Sequence, residues 1–212
     1  PEYDAKGVPL GAFRLFPTLD LGLSATDNVF QSDANATSAA GLIVAPGLRL
    51  TSEWSRHLLE LFGKLNAARY ADNSSENLTD WAFGAEGRLD IQRGSAVFAG
   101  ASQSRAHEGR SSPNSPGNIA EPVVYGVFNA HGSIMLQPNN LRFLLNGEYN
   151  NYSYDATPLN GGGEQFRING SWGETFGEKF HVRVTGDYFK QEALRRGDRD
   201  FFSCSQPYVF RA

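Results

Sequence analysis

The sequence predicts an all-β protein, an antiparallel up-and-down transmembrane β-barrel with about nine to ten strands present. Three observations predict it. Apolar and polar residues alternate along successive segments, the connections alternate between long and short, and aromatic side chains gather toward strand ends. The alternation is clearest from Gln165 to Phe189. There Phe166, Ile168, Gly170 and Trp172, then Phe180, Val182, Val184, Gly186 and Tyr188, share one face, and Arg167, Asn169, Ser171, His181, Arg183, Thr185 and Asp187 share the other. With GETFGEK as the turn between the two runs, this region predicts a hairpin with one apolar and one charged face.

The upstream segments repeat that pattern. A first strand over 12–25 sets Phe13, Leu15, Leu19, Leu21 and Leu23 against Arg14, Thr18, Asp20 and Ser24, and a second over 42–52 sets Leu42, Val44, Leu48 and Leu50 against Ala45, Gly47, Arg49 and Thr51. Pro17 and Pro46 interrupt these two, and each predicts a bulge or an edge because proline has no N–H for a ladder bond. The third strand opposes Leu59, Leu61, Gly63, Leu65 and Ala67 to Glu60, Phe62, Lys64, Asn66 and Ala68. In the fourth, Trp81, Phe83, Ala85, Leu89 and Ile91 face away from Glu86, Arg88 and Asp90. The fifth, over 96–106, carries small residues on both sides and leaves its faces undetermined. Val124, Gly126, Phe128, Ala130, Ile134 and Leu136 oppose Tyr125, Asn129, His131 and Ser133 in the sixth; Leu141, Phe143, Leu145 and Tyr149 oppose Arg142, Asn146, Glu148 and Asn150 in the seventh.

The totals limit what this chain can be. Its 212 residues show no compositional boundary, so one domain is expected: an N-terminal periplasmic segment over 1–11, strands over 12–201, and an irregular end over 202–212. No apolar run approaches the ~18 to 20 residues of a membrane helix. A net charge of −4, without clustered Lys and Arg, argues against nucleic acid as a partner. The single cysteine, Cys204, precludes an internal disulfide framework or a cysteine-based zinc site, and neither metal nor cofactor is expected.

Period 2 alone permits a soluble barrel with its apolar face inward. Connections near 30–40, 72–79, 107–121 and 153–163 are long, however, and those near 54–56, 93–94, 137–140 and 173–178 are short. Segregation of loop length by end is the habit of outer-membrane barrels, with short periplasmic turns and long external loops. Tyr70, Trp81, Tyr149, Tyr152, Trp172 and Tyr188 then supply the aromatic girdle. The polar face becomes the lumen, lined by Arg14, Asp20, Arg49, Glu60, Lys64, Glu86, Arg88, Asp90, Arg142, Glu148, Arg167, His181, Arg183 and Asp187. Such mixed charges cross-pair between strands or line a wet channel.

The stretches PEYDAKGVPLGAFRLFPTLDLGLSATDNVF, WSRHLLELFGKLNAARYADNSSEN and DWAFGAEGRLDIQRGSAVFAGASQSRAHEGRSSP resemble the outer-membrane proteins grouped as putative β-barrel porin 2. That family is common in alphaproteobacteria and associated with exopolysaccharide export. The resemblance covers approximately residues 1–200 and implies a periplasmic segment leading into a barrel, with no catalytic or binding residues to carry over. Family members continue through further strands, whereas RRGDRDFFSCSQPYVFRA loses the alternation, so a truncated C-terminus is expected.

Polar constellations that could carry chemistry read as structural. Asn129, His131 and Ser133 have a His-x-Ser spacing similar to that of outer membrane phospholipase A, but on the lumen side and without an identifiable orienting acid. His107, Glu108, Asp72 and Glu76 lie in two long loops, where solvation is the default over cation binding. The Gly161–Gly163 run lacks the strand and helix a phosphate loop needs. The expected function is therefore non-enzymatic: a porin-like passive channel for small hydrophilic or saccharide solutes in the bacterial outer membrane. The alternative is a non-conducting barrel acting as a structural or assembly partner in exopolysaccharide export. Expected partners are outer-membrane lipid and other barrel strands or envelope export components.

Overall fold

Segments that alternate at period 2 satisfy their backbones by pairing with whatever neighbours the turns bring alongside. The computed structural model describes residues 5–32, 36–110, 121–154, 164–176 and 180–192. They form ten strands: β1 (Val8–Leu10), β2 (Phe13–Thr26), β3 (Ala39–Ser52), β4 (Leu58–Tyr70), β5 (Leu78–Gln92), β6 (Ser95–His107), β7 (Val124–Leu136), β8 (Leu141–Tyr154), β9 (Gln165–Phe176) and β10 (Phe180–Gln191). A short 3-10 turn, Ser74–Glu76, lies between β4 and β5. Every strand pairs antiparallel with its sequence neighbours, in the order β1 to β10. The tip of the last turn, the end of the chain from 193, and Gly161–Gly163 lie outside the described residues, and with them the expected irregular C-terminal end.

The expected closed barrel is not formed. Among the described residues β10 pairs with β9 alone, while β1 covers β2 only from Phe13 to Leu15. The physical reason is parity. With β1 reduced to three residues, the long strands are β2 to β10, so the two outer long strands, separated by eight reversals of direction, run the same way. An antiparallel seam cannot form between strands of the same direction, and up-and-down barrels close with an even number. An open sheet encloses no lumen. The passive porin-like channel, its transport role, the transmembrane-barrel description and the alternative non-conducting barrel in exopolysaccharide export all fall with closure. Residues expected to line a lumen occupy one face of an open sheet instead.

The two prolines behave differently. Pro17 lies beyond the part of β2 that β1 covers, so its missing N–H costs nothing on that free side. Pro46 is interior. The β3–β4 ladder passes from Val44↔Ala67 to Gly47↔Lys64 without pairs between them, and the register is the same on both sides. The proline therefore interrupts the ladder without a bulge. The bulge falls elsewhere, between β5 and β6, where Asp90↔Ala96 is followed by Gln92↔Ser95 and Ile91 is the extra residue.

One layer cannot bury a core. Among the described residues no large side chain is fully buried, and the buried apolar residues are Val29, Ala39, Ala96 and Val123. Three of these lie at or beside the long loops, where Val29 N–H donates to the Thr37 carbonyl and Glu108 N–H to the Val123 carbonyl, both at 2.8 Å.

Candidate functional site

A single sheet has two faces and two edges to work with. Register fixes the faces, because residues directly opposite in an antiparallel pair point the same way. Following the pairs from Thr51↔Glu60 through Glu60↔Glu86, Glu86↔Gly100, Gly100↔His131 and His131↔Glu148 to Glu148↔Arg167 traces one polar row across seven strands. All fourteen charged residues expected on a common surface lie on that face. The same row resolves β6: Gly100, Ser102 and Ser104 share the polar face, and Ala99, Ala101 and Gln103 the opposite one.

The polar face is held by ion pairs and hydrogen bonds, both within a strand and between neighbours. Arg14 Nη2 lies 2.7 Å from Glu53 Oε1, Arg49 Nη1 3.7 Å from Glu60 Oε2, and Arg88 Nη2 2.6 Å from Asp90 Oδ1. Arg167 uses both Nε and Nη2 on the two Asp187 oxygens, at 2.9 and 3.2 Å. Thr175 and His181 face each other at 3.0 Å. Asp20, Lys64 and Arg183 have no ion pair among the described residues.

At the centre, Glu86 on β5 and His131 on β7 meet over the intervening β6. His131 Nε2 is 3.0 Å from Glu86 Oε2, and its Nδ1 is 3.0 Å from Asn129 Oδ1. Asn129 Nδ2 donates to Asn150 Oδ1 at 2.7 Å and to Glu148 Oε1 at 3.2 Å. Gly100 permits the bridge, because a Cβ there would lie 2.7 Å from His131 Cε1 and in contact with the Glu86 carboxylate. Both imidazole nitrogens are engaged, so neither turns to the Ser133 hydroxyl as nucleophilic catalysis requires. An acid beside His131 exists after all, 45 residues away in sequence.

The other face is apolar and uncovered. Leu19, Leu21, Leu48, Leu61, Phe83, Leu89, Phe143, Leu145 and Val184 are all exposed, and Leu23 reaches 90%. Shallow grooves run between the bulky side chains, one over Gly63 between Leu48, Leu65, Trp81 and Phe83, another over Gly170 and Gly186 between Phe143, Leu145, Trp172 and Val184. The apolar surface is bounded. On β4 it runs from Leu59 to Ala67 and gives way to Arg69.

Of the expected girdle, Trp81, Tyr149, Trp172 and Tyr188 lie on this apolar face, opposite Leu65, Phe166, Phe143 and Ile168. Trp81 stacks on Phe83 at 5.4 Å. Tyr70, opposite Gly41, and Tyr152, opposite Val127, fall on the polar face. Position near a strand end was visible in sequence, but the face at those two places depends on register.

The loop acids are not a cation cluster. His107 Nδ1 pairs with Asp80 Oδ2 at 2.8 Å. Glu76 is buried at 5% exposure and takes a two-pronged bond from Arg110, with Nε at 2.9 Å from Oε2 and Nη2 on Oε1. That hydrogen bond holds the Arg110 guanidinium above its ordinary pKa. Arg110 also lies 5.5 Å from the Phe30 ring, so three long loops meet in one clip. Nothing in the local pattern at Glu76 or Arg110 announces it. Among the described residues no group of His, Cys, Asp and Glu could hold a metal, and no helix is long and apolar enough to cross a membrane. The latter says nothing about strands.

The described residues thus form a single-layer antiparallel sheet with one charged face and, among themselves, one uncovered apolar face and two open edges. The profile of a family described as Putative beta-barrel porin 2 matches residues 1–170, well over half of the 212, and the chain belongs to that family. The matched region is shorter than the approximately 1–200 suggested by the sequence resemblance. A search of curated proteins found no match. The family's porin name links the chain to the outer membrane, and the open sheet departs from the barrel that the name describes.

Proposed function

We propose that the protein is a component of the bacterial outer membrane, with its apolar face against lipid and its open edges paired to further strands or envelope export components. It acts as a structural element and catalyses no reaction. The narrower likeness, to alphaproteobacterial members associated with exopolysaccharide, fits an envelope role of this kind. The observation that carries the reading is the bounded, uncovered apolar face. Soluble domains bury such a face beneath a second layer, and exposed apolar patches beyond a few hundred Å² mark interaction surfaces.

Lipid fits the dimensions of that face. The Leu59–Ala67 run covers about 30 Å along the strand at ~3.3 Å per residue. At a tilt of about 45° this becomes about 21 Å, near the ~25 Å apolar band of outer-membrane sheets. Lipid also requires paired edges, since unpaired N–H and C=O groups in hydrocarbon cost several kcal/mol each. Nucleic acid is disfavoured by the net charge of −4.

Tryptophan quenching tests the reading. In a Trp54→Phe background, Trp81 and Trp172 should be strongly quenched by lipids brominated along their acyl chains. A monodisperse, folded monomer in detergent-free buffer, with both tryptophans unquenched by such lipids, would overturn it.

A further inference from the structure

At the end of the sheet where the turns are short, the β3–β4 turn and the β5–β6 turn enclose an open hollow of about 420 Å³ on the polar side. Its walls carry Arg56, Arg88, Arg93 and Asp90, with Ser55 and Gln92 beside them. We propose that this hollow is a binding site for a phosphate group, held by the guanidinium groups of Arg56, Arg88 and Arg93.

Charge carries the first step. Asp90 is the only acid lining the hollow, and it is committed to Arg88, whose Nε lies 2.8 Å and Nη2 2.6 Å from Asp90 Oδ1. Arg56 Nη2 is held by neutral groups, the carbonyls of Asp90 at 3.1 Å and Ile91 at 3.4 Å, so its charge is left uncompensated. Arg93 has no ion pair or hydrogen bond among the described residues. Three guanidinium groups against one carboxylate leave an excess of two positive charges, which suits a phosphate monoester carrying about −1.5 to −2 near neutral pH. A guanidinium offers the planar donor fork that matches phosphate oxygens.

Construction carries the second step. His57, a non-glycine residue, is held at φ 70°, a left-handed conformation that persists only where its surroundings impose it. The imposing contacts are reciprocal. His57 N–H donates to Asp90 Oδ2 at 2.9 Å, and Asp90 N–H donates to His57 Nδ1 at 3.0 Å. This clamp fixes the turn carrying Arg56 against β5. The bulge at Ile91 and the reversal at Gly94, with φ 77°, set the course of the backbone at Arg93. Two turns separated in sequence are thereby locked around one cationic space, independently of whatever covers the apolar face.

Because the hollow opens on the polar side, away from the apolar face, a soluble phosphomonoester is the favoured source over a lipid headgroup. The test uses the full chain in maltoside micelles, titrated with inorganic phosphate and followed by calorimetry. Saturable binding is expected, weakened about tenfold or more in Arg93→Gln and Arg56→Gln and unchanged in Lys190→Gln at the far end of the sheet. Arg93→Gln is decisive because no hydrogen bond or ion pair among the described residues is lost with it. Absence of saturable binding both here and in the vesicle arm that follows, or binding that survives in Arg93→Gln, overturns the site. A second arm replaces micelles with vesicles containing phosphatidic acid or phosphatidylcholine alone. Arg93-dependent retention of phosphatidic acid, without a response to inorganic phosphate, overturns the soluble source and assigns the same cradle to a headgroup.

Discussion

Leu61 sits in the middle of β4, opposite Leu50 and Ala85, and is 41% exposed. What a charge costs there depends on the medium. In water, replacing a surface leucine normally changes stability by within about 0.5 kcal/mol. Against lipid, an arginine near the midplane costs about 2–4 kcal/mol. Leu61→Arg should therefore lower unfolding stability by about that amount in vesicles, measured by urea titration; a change near zero would place the apolar face in water. Single residues also show where a local pattern is silent. Phe189 follows the apolar run of β10, yet pairs with Arg167 on the charged face, and Tyr70 and Tyr152 join that face for the same reason. Glu86 and His131 meet only because Gly100 leaves room above the strand between them.

The elements divide into a repetitive sheet and a set of specific clips. Strand identity needs only alternation and turns, but the three-loop clip depends on one buried ion pair. Removing one partner of such a pair leaves a charge without compensation and typically costs about 3–5 kcal/mol, whereas replacing both by apolar residues is often neutral. Glu76→Gln should accordingly open the long loops, seen as faster tryptic cleavage after Arg110. The double variant Glu76→Met with Arg110→Met, which removes that cleavage site, should recover most of the lost thermal stability. If Glu76→Gln alone leaves both cleavage and melting unchanged, the clip contributes nothing.

At the scale of the molecule, the edges govern behaviour. Among the described residues the outer side of β2 beyond Leu15 and that of β10 present unpaired backbone groups, while β5 and β6 are flanked on both sides. Amide exchange in micelles should be fastest in 16–26 and 180–191 and slowest in β5 and β6. Protection that is uniform across all strands in an isolated chain would mean the edges are already paired. Addition of a partner that supplies strands should slow exchange at the edges selectively.

The faces of most strands, their antiparallel succession, the alternation of long and short connections, and the family were legible in the residues alone, while the faces of β6 were not. Each of these is local: a strand turns successive side chains to opposite sides, and a short polar turn sets its two flanking strands side by side and antiparallel. Thus Arg14, Glu86, Glu148 and Asp187 could be placed on one face before any register was known. Closure emerges in the folded sheet alone, because it is a relation between the first and last strands. The reversal of β1 after three residues and the shared direction of β2 and β10 leave no antiparallel seam to form. The Glu76–Arg110 clip, the Glu86–His131 bridge and the arginine hollow were likewise decided there, because they join residues far apart in sequence that only strand register brings together.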